Sequence, residues 1–403
     1  MMGEGRPARL AGGVEPSARE RLRLLVTGGH VEAALDGWAA ERPDPVGQWR
    51  RVYGRLRPGR SPWAVLVYQA EPGPTVQVGI FEPSHSSPGV GQGSTAPHAA
   101  LGAIEITPCE EDPALPGLRA VLAALEDSAV VRYRPGHRCT VRGVVGSDVR
   151  FVKVLAEGVD DQREARARWE AAASGHLSFS VAEPFGWDEQ TRASWYGAVP
   201  GGAVLPALLG DDGRQVAERI GRSLGELAVA PLRPAHTCTP ADHLTRAKRA
   251  LARTAAVAPA LTDELRRAED ALTHAHQGLA VRPLVPVHGA AHLGQWLVDR
   301  DGRLGLVDFE RWARGEPEFD LAAFLVDLET QSSMVSVEDL KKATLIGFRA
   351  VAGEPNHHRL ALYDLHRRLA KVARTAAALR PDAEDRAARL LDRLQEPLAT
   401  LAG

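Results

Sequence analysis

The stretch VHGAAHLGQWLVDRDGRLGLVDFERWARGEPEFDLAAF, residues 287–324, decides the fold. Within it, two short apolar runs, Trp296–Val298 and Leu304–Val307, flank the four residues DRDG at 299–302. Asp and Gly at such a position favour a tight turn between two paired strands. The stretch therefore predicts an antiparallel hairpin.

Two polar side chains border this predicted hairpin. Gln295 precedes its first strand, and Asp308 follows its second strand. Because antiparallel pairing brings the two ends of a hairpin together, we expect the amide and the carboxylate side by side. Oxygen donors placed in this way suit a hard cation such as Mg²⁺. Glu310, two residues after Asp308, can add a further oxygen ligand.

The order of these residues resembles a known pattern: His-Gly-Asp, four residues, Asn, a hairpin and an aspartate like that of Asp-Phe-Gly. This chain has HGA at 288–290, four residues, Gln295, the hairpin and DFE at 308–310. The run GEPEFDLA at 315–322 is similar to the pattern's G-D-P-x-x-D-L-A. The match extends over roughly residues 128–330 and resembles the aminoglycoside phosphotransferase and choline kinase family, a branch of the protein-kinase-like fold.

The resemblance implies a bilobal α+β fold that uses ATP and Mg²⁺ to transfer the γ-phosphate to a hydroxyl of a small molecule or peptide. Two departures matter. Ala290 occupies the position of the family's catalytic aspartate, and Gln295 that of its metal-binding asparagine. A methyl group cannot accept the hydroxyl proton. Asp308, which resembles the family's principal magnesium ligand, is present, so nucleotide–metal binding is better supported than phosphate transfer.

The loop around Ala290 offers two substitutes for the missing base, His292 and Glu310. The alternative for His292 is a loop histidine that only orders the backbone. His288 typically packs beneath the catalytic loop in this family, so we assign it a structural role. Asp320, on the helix that follows, is expected to cap backbone amides of the loop.

The amino-terminal part of the match carries a lysine inside an apolar strand. Lys153, in the run RFVKVL, resembles the family lysine that holds the α- and β-phosphates; the alternative is a lysine on the solvent face of a half-exposed strand. Its expected partner is Glu164 in preference to Glu170, although either can be a solvated helix charge. The turn at 134–138 is expected to face the phosphates, where Arg138 contacts one or simply belongs to a basic hairpin turn.

The connection between the two lobes is expected after the strand-like run ASWYG at 193–197. The resemblance implies that backbone groups of Ala198 and Val199 hydrogen-bond the adenine ring. Beyond Pro200 the chain is rich in Ala, Leu and Arg and is predicted to be mostly helical. Strands followed by helices favour an α+β architecture over alternating βαβ units.

Another group of strands is predicted at 48–83, ahead of the matched segment. It contains Arg-x-Arg-Pro-Gly at 55–59, and the same pattern recurs at 132–136. The recurrence predicts a duplicated three-stranded unit, unless two basic Pro-Gly turns coincide. Ile80 stands where the second copy has Lys153, so the first copy is predicted to be a docking or dimerisation module that binds no phosphate.

These patterns divide the chain into an accessory region at 1–125, a kinase-like N-lobe at 126–200 and a helical C-lobe at 201–403. We expect the accessory strands to pack on the N-lobe sheet, since their edges need covering. Further predicted segments are helices at 17–41, 116–126 and 160–174 and a Ser/Gly/Pro-rich loop at 84–98.

The composition excludes several classes of protein. The chain has 403 residues with 49 Lys and Arg against 51 Asp and Glu, a net charge of −2, so no positive surplus is available for nucleic acid. No apolar run of about 18 residues predicts a membrane span, and the first residues lack the apolar core of a signal peptide. We therefore expect a cytoplasmic protein. Its three distant cysteines predict neither a disulfide framework nor a metal cluster.

Two functions remain open at this point. One is an active phosphotransferase; the other is a pseudokinase that binds nucleotide, or none, and acts as a scaffold or regulatory partner of another protein. Ala290 favours the second, whereas Lys153 and Asp308 favour nucleotide binding and suit both. The acceptor leaves no portable motif. A protein partner would bind through the accessory region.

Overall fold

The computed structural model describes residues 18–57, 60–81, 94–98, 101–158, 161–331, 337–380 and 382–394. The chain divides into unit 1, from 1–108 with 378–381, and unit 2, from 109–377 with 382–403. The sequence predicts a boundary at residue 125, but the helix Leu118–Ala124 belongs to unit 2, so the observed division falls earlier.

Unit 1 consists of two helices followed by an antiparallel sheet. The helices are α1 (Ala18–Thr27) and α2 (His30–Ala40). The strands are β1 (Gln48–Leu56), β2 (Ala64–Glu71), β3 (Thr75–Ile80), β4 (Ser94–His98) and β5 (Gly102–Pro108), in the order β1-β2-β3-β5-β4. The single helix predicted at 17–41 is broken because Gly29 adopts a φ of 62°, in the left-handed region that favours glycine.

The strand β4 corrects the prediction of a loop over 84–98. Its five residues pair with β5 from Ser94↔Ile106 to His98↔Gly102. Residues 84–93 of the predicted loop lie outside the described residues. The Ser/Gly/Pro-rich composition does not predict a strand here. Pairing with β5 stabilises it, because β5 is anchored by the buried side chains of Ile104 and Ile106.

Unit 2 begins with α3 (Leu118–Ala124) and a second five-stranded antiparallel sheet. Its strands are β6 (Glu126–Arg134), β7 (Arg138–Val145), β8 (Asp148–Leu155), β9 (Pro184–Asp188) and β10 (Ala193–Gly197), in the order β6-β7-β8-β10-β9. Helix α4 (Gln162–Ala173) connects β8 to β9. The strand order equals that of unit 1, which supports a duplication. The packing of the first sheet on the second stays a prediction.

The rest of unit 2 is mainly helical. Its helices are α5 (Leu205–Leu208), α6 (Gly213–Val229), α7 (Pro240–Val257), α8 (Thr262–Gln277), α9 (Glu318–Gln331), α10 (Val337–Ala352), α11 (His357–Ala376) and α12 (Ala383–Asp392). Its short strands are β11 (Gly202–Ala203), β12 (Val285–Val287), β13 (Trp296–Val298), β14 (Leu304–Leu306) and β15 (Ala313–Gly315). Strands β13 and β14 form the predicted hairpin. Among the described helices, none combines the length and apolar character needed to cross a membrane.

The hydrophobic core of unit 2 lies beneath the hairpin. Trp296 of β13 and Leu306 of β14 are buried together with Phe324 of α9 and Phe348 of α10. A large apolar core of this kind holds the hairpin rigidly against the helices. The polar residues at the open end of the hairpin are therefore placed with a fixed geometry.

Candidate active site

The loop between β12 and β13 is held by one buried carboxylate. Asp320, at the start of α9, accepts hydrogen bonds from the backbone N–H groups of Gly289 (3.1 Å) and Ala291 (3.0 Å). Gly289 has a φ of 75°, and a Cβ atom there would lie 2.3 Å from the carbonyl oxygen of Arg311. Only glycine fits such a position. The predicted capping by Asp320 is confirmed, and it fixes Ala290 in the middle of the loop.

His288 lies fully buried beneath this loop. Its Nε2 atom is 3.0 Å from the carbonyl oxygen of Val307, and its ring centre is 4.5 Å from that of Phe309. Burial lowers the pKa of His288 to about 4, although the bond to Val307 opposes the shift. The imidazole is therefore neutral at pH 7 and supports the loop, in agreement with its predicted structural role.

The hairpin brings Gln295 and Asp308 together. The Nε2 atom of Gln295 lies 3.2 Å from Oδ2 of Asp308, and the backbone N–H of Val307 donates to the carbonyl of Gln295 at 3.1 Å. Asp308 has a φ of 69°, in the left-handed region that non-glycine residues rarely adopt. Backbone strain of this kind is concentrated at functional sites.

Asp308 and Glu310 face three cationic side chains of the second sheet. The Nζ atom of Lys153 lies 3.1 Å from Asp308 Oδ1 and 3.6 Å from Glu310 Oε1. Arg138 pairs with Glu310, and Nη1 of Arg132 lies 3.8 Å from Asp308 Oδ2. Three cations thus meet two carboxylates. The excess of positive charge suits an anionic ligand such as a polyphosphate.

The charges in this cluster set the protonation of Asp308. Burial alone would raise the pKa of its carboxyl, but the charges of Lys153 and Arg138 outweigh burial and lower that pKa to about 2. Burial lowers the pKa of Arg138 to about 10, with Asp308 opposing the shift. Asp308 is therefore ionised and Arg138 cationic at pH 7, as metal binding and phosphate binding require.

The predicted ion pair between Lys153 and Glu164 is wrong. Glu164, on α4, accepts a hydrogen bond of 2.5 Å from the backbone N–H of Ala235. Within the described part of the chain, Lys153 pairs with Asp308 and Glu310. The sequence could not show this, because the rotation of α4 against the strands decides which of its residues reach Lys153.

Sequence reasoning missed Arg168, another residue of α4. Its guanidinium carbon lies 4.8 Å from the ring centre of Phe309 and 5.1 Å from that of Trp312. Cation–π contacts of this kind stabilise the position of the segment that follows Asp308. One signal was available: Arg168 stands three residues after Ala165, on the buried face of the helix.

The turn between β6 and β7 is held by Asp112, which sequence reasoning also missed. The backbone N–H of Gly136 and the hydroxyl of Tyr133 each donate to Asp112 Oδ2 at 2.8 Å. Asp112 is buried and lies 24 positions before Gly136, too far for a local pattern to reveal. This N–H is therefore occupied, and the contact of Arg138 with a phosphate stays a prediction.

Ala198 and Val199 follow β10 on the connection to β11. Ala198 is exposed and Val199 half-buried. Gly305 of β14 leaves room for Val199, because a Cβ atom at that glycine would lie 2.5 Å from Val199 Cγ1. The role of both residues in adenine binding stays a prediction.

His292 contacts polar side chains through both ring nitrogens. Its Nε2 atom is 3.3 Å from Nε2 of Gln295, and its Nδ1 atom is 3.8 Å from Oδ2 of Asp327. Burial, together with the charge of Arg367, lowers the pKa of His292 below its usual range. These contacts support a role in orienting the Gln295 amide, whereas the role of His292 as a base stays a prediction.

The sequence matches the profile of the phosphotransferase enzyme family (APH) over residues 144–363. Because this segment is more than half of the chain and contains Lys153, Gln295 and Asp308, the protein belongs to that family. No curated protein sequence matches the chain.

Two solved structures share the fold, and a third is similar at a lower score. Amicoumacin kinase hAmiN, in complex with AMP-PNP, Ca²⁺ and Ami, gives a TM-score of 0.52 at 15% identity, with 69% of this chain and 93% of that chain covered. A thermostable mutant of aminoglycoside phosphotransferase APH(4)-Ia gives 0.50 at 15% identity, covering 72% and 99%. Choline kinase LicA from Streptococcus pneumoniae gives 0.49 at 12% identity, covering 70% and 96%. The predicted kinase-like α+β fold is confirmed.

Proposed function

We propose that the protein binds Mg·ATP at the cluster of Lys153, Arg138, Asp308 and Glu310 and transfers the γ-phosphate to a hydroxyl of a small molecule or peptide. The observation that carries this proposal is the 3.1 Å contact between Lys153 and Asp308, which joins the second sheet to the hairpin. A cation for phosphates and a carboxylate for a metal are the two parts that phosphoryl transfer requires.

The residues present fit a magnesium ion. Asp308 and Glu310 supply carboxylate oxygens, and Gln295 supplies an amide, which are the hard ligands that Mg²⁺ prefers. No group of three or more His, Cys, Asp and Glu residues in the described segments is arranged to hold a metal alone. The remaining ligands would therefore come from phosphate oxygens and water, as is usual for Mg²⁺. When bound, the ion neutralises charge on the phosphates.

A rotation of the Gln295 side-chain amide by half a turn would add its oxygen to the metal ligands. At present its Nε2 atom faces Asp308, at 3.2 Å, and also His292, at 3.3 Å. Rotation about the terminal bond would turn the amide oxygen towards the metal position and the nitrogen away from it. The backbone need not move, because Gln295 remains bonded to Val307 through its carbonyl.

The chain's own residues would act mainly by positioning and charge. Lys153 and Arg138 hold the phosphates while the bond from the γ-phosphorus to its bridging oxygen breaks and a bond to the acceptor oxygen forms. ADP leaves, and the hydroxyl proton is released to solvent, since Ala290 cannot take it. Loss of the base alone leaves the larger contributions of positioning and charge neutralisation in place.

A pseudokinase is the second candidate, and Ala290 is the observation that favours it. Release of ADP decides between the two. With Mg²⁺ and ATP, an enzyme releases ADP in amounts that rise with a suitable hydroxyl compound and that vanish in Asp308→Asn. Nucleotide binding without such release, across a broad set of acceptors and with Ala290→Asp as a second variant, would support the pseudokinase and overturn the proposed transfer.

A further inference from the structure

Cationic side chains other than those around Lys153 gather beside the catalytic loop. Three of them, Arg367, Lys371 and Arg374, are four and three residues apart on α11 and therefore share one face of that helix. Arg311 directly follows Glu310 in sequence. We name Arg311, Arg367, Lys371 and Arg374 the basic face.

A continuous series of contacts leads from Asp308 to the basic face. Gln295 contacts Asp308, and His292 contacts Gln295, at 3.2 and 3.3 Å. On its other side, Nδ1 of His292 lies 3.8 Å from Oδ2 of Asp327 on α9. The same Oδ2 atom accepts a hydrogen bond of 3.0 Å from Arg367. The basic face is therefore connected to the metal position through His292 and Asp327.

Arg311 also packs directly against the catalytic loop. Its backbone packs against Gly289 so closely that a Cβ atom there would lie 2.3 Å from the Arg311 carbonyl oxygen and 2.8 Å from the Arg311 Cβ. Gly289 is the residue before Ala290, so Arg311 begins beside the position that would receive the acceptor hydroxyl. An acceptor bound at Ala290 would thus lie within reach of this face.

Few negative charges oppose this face. Asp327 pairs with Arg367 and with Lys371, whose Nζ atom lies 3.0 Å from Oδ1. Arg311 and Arg374 are exposed, and neither side chain makes a hydrogen bond or ion pair with any residue that the structure describes. The buried Nε atom of Arg367 also has no acceptor among those residues. Asp327 therefore supplies one carboxylate to two of these four cations.

The cations also repel one another. Arg311 lies close enough to Arg246, Arg134 and Arg367 for their positive charges to oppose its own. The charge of Arg367 opposes that of Arg374 in the same way, whereas the carboxylate of Asp327 attracts it. Like charges held close together cost free energy, and an anion bound between them would remove that cost.

The residue at position 290 also favours a negatively charged ligand. An aspartate there would place a negative charge at the edge of the basic face and would repel an incoming anion. Ala290 removes that charge while Asp308 and Lys153 remain. The missing base and the surplus of cations thus both favour a negatively charged ligand.

We propose that the basic face binds an oxyanion group, a phosphate or a carboxylate, of a small-molecule acceptor whose hydroxyl lies at Ala290. The planar guanidinium groups match both oxyanions through paired hydrogen bonds. This inference rests on the proposed function only in treating the bound molecule as a phosphate acceptor. The binding itself does not depend on ATP, so its failure and the failure of the proposed function are measured separately.

Calorimetric titration of the full chain with inorganic phosphate, without nucleotide and at fixed ionic strength, tests the proposal. The wild type is expected to bind at about millimolar concentration or tighter. The double variant Arg311→Gln/Arg374→Gln should bind about tenfold more weakly or worse, since charge-assisted hydrogen bonds are lost. Both side chains are exposed, so the variant is expected to fold, which its circular dichroism verifies.

Two controls locate the bound phosphate. Arg300→Gln removes an exposed arginine from the β13–β14 turn and should bind as the wild type does. Lys153→Met removes the cation at the nucleotide position, so phosphate binding that persists in this variant belongs to the basic face. Absence of phosphate binding in the wild type would overturn the proposal. So would an unchanged affinity of the double variant, or a loss of binding in Lys153→Met.

Competition then identifies the ligand class. Glycerol 3-phosphate and glycerate carry a phosphate and a carboxylate on the same three-carbon skeleton, and glycerol carries neither. Displacement of phosphate by either anion but not by glycerol supports the proposal and shows which oxyanion is preferred. Equal displacement by glycerol, or displacement by none of the three, contradicts it.

Discussion

The ammonium group of Lys153 lies 3.1 Å from the carboxylate of Asp308, although 155 positions of sequence separate the two residues. In the family pattern, one of these residues holds phosphates and the other holds a metal. Without ligands the two form an ion pair, and a second carboxylate, that of Glu310, lies 3.6 Å from the Lys153 ammonium. Mg·ATP would replace this internal pair with a pair of external contacts, a phosphate for the lysine and a cation for the carboxylate.

The different contacts of Lys153 and Glu164 predict different effects of substitution. Lys153→Met should weaken Mg·ATP binding by about tenfold or more, because a charge-assisted phosphate contact is lost. Glu164→Gln should change the affinity by less than about threefold, since its carboxylate contacts the backbone of Ala235 and not Lys153. Fluorescence titration with a labelled ATP analogue measures both. An equal loss in Glu164→Gln would mean that nucleotide binding re-forms the ion pair predicted from the sequence.

Restoring the family's base should increase catalysis. Ala290→Asp is expected to raise kcat for transfer to a hydroxyl by about 10²–10⁴-fold, the usual contribution of a general base. The same change should raise KM for an anionic acceptor, because the new carboxylate borders the basic face. Steady-state ADP release with a confirmed acceptor gives both constants. An unchanged kcat would show that another group already takes the proton, with His292→Gln as the variant that tests the nearest candidate.

The buried carboxylate of Asp320 should contribute strongly to stability. Asp320→Ala leaves the buried N–H groups of Gly289 and Ala291 without acceptors, so the free energy of unfolding should fall by about 3 kcal/mol. Asp301→Ala, at an exposed position in the hairpin turn, is the matched control and should cost less than about 0.5 kcal/mol. Urea unfolding followed by circular dichroism measures both. Similar midpoints for the two variants would contradict the role assigned to Asp320.

Stability should decrease towards acid pH because of His276. Burial lowers the pKa of His276 to about 4, with Glu316 opposing the shift, and its Nε2 atom lies 2.7 Å from Nε2 of His366. In the unfolded chain the pKa is about 6.5. Between these values only the unfolded chain binds the proton, so the contribution is present above pH 6.5 and is lost as the pH falls towards 4.

A substitution isolates this contribution. His276→Gln should reduce the slope of unfolding free energy against pH, between pH 6 and 4.5, by about 1 kcal/mol per pH unit. His358→Gln, at an exposed position near the start of α11, should leave the slope unchanged. Equal slopes for His276→Gln and the wild type would show that this histidine titrates normally in the folded chain.

The parts of the site that lie close in sequence were predictable. The hairpin, the meeting of Gln295 with Asp308 and the capping of the loop by Asp320 follow from turn chemistry and short spacings within one segment. The role of Lys153 was predictable only through the family pattern. Strand alternation alone did not distinguish a phosphate-binding lysine from one on the solvent face of the strand. The mixed α+β fold followed from the order of strands and helices along the chain.

The contacts that the sequence did not reveal join distant segments. Whether Glu164 or Arg168 reaches the site depends on how α4 is rotated, and no local pattern fixes that rotation. Asp112 holds Gly136 across 24 positions through a single buried bond. The basic face combines Arg311 with residues of α11, which a linear inspection interprets as ordinary exposed helix charges. Tertiary packing decides such contacts, and it is not encoded in any short window.

The melting temperature in the presence of saturating Mg·ATP tests the central claim most directly. A ligand that binds only the folded state at about 100 times its Kd adds about 2.7 kcal/mol of stability. The wild type should therefore melt at a clearly higher temperature with Mg·ATP than without it, and the exposed control Asp301→Ala should show the same rise. Asp308→Asn, which keeps the shape of the side chain but loses its charge, should show little or none. A wild type that does not respond, or an Asp308→Asn variant that responds as fully as the wild type, would contradict nucleotide–metal binding at this site.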